Sequence, residues 1–156
     1  MKTAAILAAI SLSLSSASFA RLGETMDKCR ERYGALDQDA SYPTRYSASV
    51  GDYIVTVEFI DGICEGIGYV KISSDPARRK EQLSQLEVET LIKNNFGGAP
   101  YVTDEGIGQT NFRAKDLSRF GNYDAIQKML VLFTKKLAQK MSADKTAAEK
   151  KSLEKL

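Results

Sequence analysis

The segment Tyr53-Ile-Val-Thr-Val-Glu-Phe-Ile-Asp61-Gly62-Ile-Cys64-Glu-Gly66-Ile-Gly68-Tyr-Val-Lys-Ile72 reads as a β-hairpin. Two runs rich in β-branched and aromatic residues flank Asp61-Gly62, a pair suited to a type I′ turn because Asp tolerates positive φ and Gly adopts it freely. A two-residue loop sets the register, with Phe59 opposite Cys64, Val57 opposite Gly66, Val55 opposite Gly68 and Tyr53 opposite Val70. On that register one face is apolar and notched. The glycines leave a trough between the valines in which a helix can lie close to the sheet.

Upstream, Arg21-Leu-Gly-Glu-Thr25-Met-Asp-Lys-Cys29-Arg-Glu-Arg-Tyr33-Gly34 predicts a short amphipathic helix. Thr25 caps it, Asp27 complements its positive end, Met26, Cys29 and Tyr33 share one stripe, and Gly34 suits the left-handed position after the last turn. Residues 35–44 read as a loop and 45–50 as an edge strand before Gly51-Asp52 turns the chain into the hairpin.

Downstream, Ser73-Ser74-Asp75-Pro76 is a turn or helix start. Ser84 and Glu87 then form a capping box, Leu83 and Val88 occupy the two staple positions, and Leu91 and Ile92 continue a buried face that stops near Asn95. Residues 97–108, with four glycines and Pro100, read as an exposed loop. Residues 109–115, 119–126 and 129–135 read as three short strands, the last the most apolar and therefore central; a single helix over 124–139 is the alternative. The Lys-rich tail 137–156 has helical propensity with little to bury, so a solvated, frayed helix is expected, with a partner-binding amphipathic segment as the alternative.

Two halves emerge, each a capped helix ending in an aromatic-Gly pair, Tyr33-Gly34 or Phe96-Gly97, followed by three strands. An α-β-β-β unit used twice predicts an α+β fold: one mostly antiparallel sheet, two helices on one face, and the C-terminal helical tail. A single domain would span 21–136.

Residues 1–20 carry Lys2, an apolar run and Ser18-Phe19-Ala20, the pattern of a signal peptide cleaved after Ala20. The expected product is periplasmic or secreted, without a transmembrane segment or, lacking a Cys after the cut, a lipid anchor. The body 21–136 holds 16 basic and 17 acidic residues, a balance with no electrostatic footprint for nucleic acid. The chain has no His, which argues against triad hydrolases and typical zinc enzymes. No catalytic, cofactor-binding or metal-ligating set is assigned.

Cys29 on the helix stripe and Cys64 on the notched hairpin face are expected to form one disulfide, closing a loop that contributes about 3 to 4 kcal/mol through chain entropy. Two buried thiols are the alternative. The acidic pairs Asp37, Asp39 and Asp104, Glu105 lack the Gly and terminal Glu of a dedicated calcium loop and read as solvated carboxylates. Glu58 and Glu65 fall opposite each other on the hairpin, an unfavourable like-charge pair that argues for an imperfect register or solvation. Tyr42, Tyr46, Phe96, Tyr101, Phe112 and Phe120 are candidates for core or contact aromatics.

The segment Arg21-Leu-Gly-Glu-Thr25…Cys29…Arg32-Tyr33-Gly34, with Asp61-Gly62-Ile-Cys64 and Asn95-Phe96-Gly97-Gly98, resembles a family of small exported bacterial proteins of unknown function. The resemblance covers most of the mature chain except the tail and implies no activity. The helix-then-meander order is similar to the β-lactamase-inhibitor-protein and small outer-membrane-assembly-lipoprotein fold group, whose members bind other proteins. The expectation is an exported, non-enzymatic protein-binding module presenting the open sheet face and residues 97–108 to another exported or envelope protein. A small His-free hydrolase or lyase, or a structural envelope protein without a discrete site, are the alternatives; the oligomeric state is open.

Overall fold

A computed structural model describes residues 21–74 and 79–153, so the expected leader and part of the turn after Ser74 lie outside the described residues. The elements run α1 (Met26–Tyr33), β1 (Asp37–Gln38), β2 (Arg45–Val50), β3 (Tyr53–Ile60), β4 (Ile63–Lys71), α2 (Gln85–Phe96), β5 (Tyr101–Gly106), β6 (Gln109–Ala114), β7 (Arg119–Asp124), β8 (Met129–Thr134) and α3 (Lys135–Leu153).

The strands form one sheet in the order β1-β2-β3-β4-β8-β7-β6-β5, each neighbouring pair antiparallel. Two meanders, each introduced by its own helix, meet where β4 pairs with β8. The α+β class and the doubled unit are therefore as expected, with β1 and β5 in addition to the six predicted strands. Because β1 pairs outside β2, the segment 45–50 is not an edge. The stretch 97–108 is not one loop either: Tyr101–Gly106 pairs residue for residue with β6, and only Ile107 and Gly108, the latter at φ 71°, turn the chain. Its glycines punctuate the ends of a β-prone run instead of dissolving it.

Local chemistry sets the helix ends. The Thr25 hydroxyl accepts from the Lys28 N–H, and the Gly34 N–H at φ 78° donates to the Arg30 carbonyl. In α2 the capping box closes both ways: Ser84 N–H donates to Glu87 at 2.7 Å and Glu87 N–H to the Ser84 hydroxyl at 3.3 Å, while Gly97 ends the helix in the left-handed region. Between positions 124 and 139 the strand runs to Thr134 and the helix begins at Lys135. The α3 helix is exposed from Gln139 through Lys151.

The hairpin turn has the positive φ expected of a type I′ turn at Asp61 (53°) and Gly62 (77°). The predicted register holds only for Phe59 opposite Cys64. Beyond it, Glu65 is an extra residue on β4, so Glu58 faces Gly66, Val57 faces Ile67, Thr56 faces Gly68, Val55 faces Tyr69 and Tyr53 faces Lys71. A one-residue bulge exchanges the faces of everything that follows it. Val55, Val57, Phe59, Cys64, Ile67 and Tyr69 thus share the core face with Leu130 and Leu132, and α1 and α2 pack there through Cys29, Tyr33, Leu91, Ile92 and Phe96. Gly66 and Gly68 point to the other side. The expected docking of α1 into a glycine-lined trough is therefore corrected: α1 covers the large side chains, and the glycines belong to the opposite face.

Candidate functional site

On that opposite face the sheet carries an open groove of about 520 Å³. Its floor is Gly66 and Gly68 of β4, its walls are Ile54, Thr56 and Glu58 of β3 and Met129, Val131 and Phe133 of β8, and Leu137 and Met141 of α3 lie at it. The two glycines have different surroundings. A Cβ on Gly66 would lie 2.6 Å from Leu137 Cδ2, so the first turn of α3 already fills that notch and Leu137 is buried. A Cβ on Gly68 would meet only Thr56 Cβ at 3.8 Å, an ordinary contact. A gap of side-chain size is left over Gly68, among half-buried apolar residues.

Three contacts fix α3 over Gly66. Lys136 Nζ is 2.8 Å from Asp61 Oδ2 in the hairpin turn, the same ammonium lies 3.8 Å from Glu65, and the Thr134 hydroxyl donates to Glu65. The hydrogen bond from Lys136 holds the Asp61 carboxyl below its usual range and raises the lysine in turn. Glu65 and Glu58 do not confront each other: the bulge takes Glu65 to Thr134 and Lys136, while Glu58 pairs with Arg45 at 3.3 Å. Arg45 also stacks over the exposed Tyr42 ring, 4.3 Å from its centroid, at the rim that includes Asp39. Phe120 stacks on Phe133 at 5.8 Å.

The remaining candidates do not converge. Asp37 lies in β1, and Asp39 accepts from the Ser41 N–H in the turn that follows it. Asp104 and Glu105 are consecutive in β5 and so face opposite sides of the sheet. Tyr46 packs edge-on against Phe59, and Phe96, Tyr101 and Phe112 form a continuous edge-on chain on the core face.

Cys29 and Cys64 are brought together across α1 and β4, both fully buried and hydrogen-bonded to each other, but as free thiols. The predicted pairing in space is met and the predicted covalent bond is not; the sulfurs make a hydrogen-bonding contact, longer than the approach a disulfide requires. The bond to Cys29 and burial together push the Cys64 thiol up, and the same bond draws Cys29 down. Beside them, Asn95 Nδ2 donates to the Tyr69 hydroxyl at 3.1 Å and to the Leu91 carbonyl at 2.8 Å, tying α2 to β4.

Sequence reasoning missed the groove because it placed the glycines on the wrong face. The signal that could have found it was the Glu58–Glu65 clash, which a bulge at Glu65 removes. Among the described residues no helix is long and apolar enough to cross a membrane. No protein-family model, no curated protein and no solved structure matches the chain, so the groove is read from its own geometry.

Proposed function

We propose that this is an exported, non-enzymatic protein-binding module whose open sheet face receives a large apolar side chain of a partner segment over Gly68. The observation that carries the reading is the unfilled notch over Gly68 within an apolar strip on the uncovered face of the sheet. Buried apolar anchors seated in such pockets supply most of the binding energy of protein interfaces. The groove is open, and of the carboxylates that line it Glu58 is engaged by Arg45 and Asp39 by the Ser41 N–H, an arrangement that favours binding over acid–base chemistry.

The mature protein and a Gly68→Val variant, both immobilised, test this against envelope extract. Val is a good strand residue with room at that position, so the variant folds with wild-type thermal stability while filling the notch. A protein retained by the wild type and lost with Gly68→Val supports the reading. Retention of nothing above background, or of the same proteins by both forms, overturns it.

The same reading assigns a staple to the scaffold. In an oxidising compartment the Cys29 and Cys64 thiols transfer two electrons and two protons to a disulfide oxidant, which leaves as a dithiol, and the new bond joins α1 to the hairpin. Both sulfurs are buried in the folded chain, so the bond forms before α1 docks. Exported protein, unfolded without reductant, is expected to take up no thiol reagent; labelling of two thiols per chain would rule the staple out.

A further inference from the structure

The two edges of the sheet are unequal. One ends in β1, only two residues long; the other ends in β5, six residues, regular in register and without Pro, Lys or bulge, its charged side chains confined to Asp104 and Glu105 near one end. Natural edge strands of this length are usually blunted by such devices.

Register identifies which backbone groups of β5 are free. The Lys115 N–H donates to the Pro100 carbonyl, so even-numbered residues of this strand bond inward to β6. The N–H and C=O groups of Tyr101, Thr103 and Glu105 therefore point away from the sheet, and among the described residues none bonds to them. Val102 through Gly106 are exposed.

Charge along this edge is polar. At its start, Lys93 and Lys115 line a shallow recess of about 420 Å³ with Glu89, Pro100 and Tyr101. At its end lie Asp104 and Glu105, neither in an ion pair among the described residues. An edge flanked at one end by two lysines, against the single carboxylate of Glu89, and carrying two carboxylates at the other is complementary to an antiparallel copy of itself.

We propose that the β5 edge is a self-association surface, on which two copies pair β5 to β5 antiparallel about a two-fold axis at Thr103, joining their sheets. This register satisfies all three outward residues, with Thr103 opposite Thr103 and Tyr101 opposite Glu105 in both directions. It sets Asp104 opposite Val102 of the second copy, whereas a shift that centred the axis on Asp104 would place two aspartates face to face. It also carries each Glu105 to the Lys93 and Lys115 end of its neighbour. A single added strand pair buries less than a standard interface of about 1,600 Å², so the dimer is weak and salt-sensitive. The contact is isologous and closes on itself.

Sedimentation velocity of the mature protein, from about 1 µM to about 500 µM to span weak affinities, is expected to show a reversible monomer–dimer equilibrium that weakens with salt. Thr103→Pro removes an outward N–H where Pro is tolerated, so it is expected to leave thermal unfolding unchanged and weaken the dimer at least tenfold. Glu105→Lys should weaken it severalfold, and adding Lys93→Glu should restore it. In hydrogen exchange on the wild type, the Tyr101, Thr103 and Glu105 amides should be protected only at high concentration, with Val102 and Asp104 protected throughout; this arm stands even if a variant misfolds. A monomer at every concentration, or a dimer that leaves the three outward amides unprotected, overturns the proposal.

Discussion

The two sides of β4 are built from alternate residues of one strand and have opposite fates. Cys64, Ile67 and Tyr69 lie against helices at 0 to 1 % exposure, whereas Gly66, Gly68 and Val70 face a groove touched only by the start of α3. The large side chains are on the covered side and the missing ones on the open side. This difference teaches that the helices hold the fold by burying bulk, while the opposite face is shaped by omission.

The sharpest way to break that contrast is to truncate neighbours on β8. Leu132 is fully buried on the covered side and Val131 half-buried on the open one. Leu132→Ala is expected to cost about 2–5 kcal/mol in urea unfolding, and Val131→Ala no more than about 1 kcal/mol. Equal losses would mean that both faces carry the core.

The two glycines give the next largest effect. Gly66→Val drives a side chain into Leu137 and is expected to cost about 1–3 kcal/mol, while Gly68→Val stays within about 0.5 kcal/mol of wild type. Comparable destabilisation would show that α3 does not rest on Gly66 alone.

On the covered side, α2 is held at its start by the capping box, so Ser84→Ala should cost about 1 kcal/mol. Glu87, the other half of that box, makes this end acid-sensitive. Burial pushes its carboxyl up, but the Lys71 ammonium at 2.8 Å, the Tyr53 hydroxyl and Ser84 outweigh it and hold the group at about 2, against an ordinary 4.5. Its folded value is depressed, so its stabilisation is complete above about pH 4.5 and is lost as pH falls through about 2. The drop in Tm from pH 5 to pH 2 is therefore expected to shrink in Glu87→Gln. The smallest effect belongs to the tail: removing the residues after Met141, exposed from Ser142 through Lys151, should change stability by less than about 0.5 kcal/mol.

Much of the fold was readable from short-range signals. Thr25 and Gly34, Ser84 with Glu87, and Asp61-Gly62 each act within a few residues, and each is where the sequence places it. The groove was signalled only indirectly, by the Glu58–Glu65 clash, because its position depends on a parity that one residue reverses. Nothing in Ile63-Cys64-Glu65-Gly66 favours a bulge locally; the advantage comes from giving Glu65 to Thr134 and Lys136, 69 and 71 positions away. The β5 edge was hidden for a related reason, since glycines at its flanks resemble a loop until β6 supplies the partner.

By itself the sequence determined the α+β class, the doubled helix-and-meander order, the helix ends and the hairpin turn, all consequences of local propensity and capping. Only the tertiary structure decided which face the glycines occupy, that Cys29 and Cys64 meet across α1 and β4, and that β5 closes the sheet with a free edge. Those depend on contacts between residues far apart in the chain, where a single bulge or a new strand partner changes every neighbour that follows.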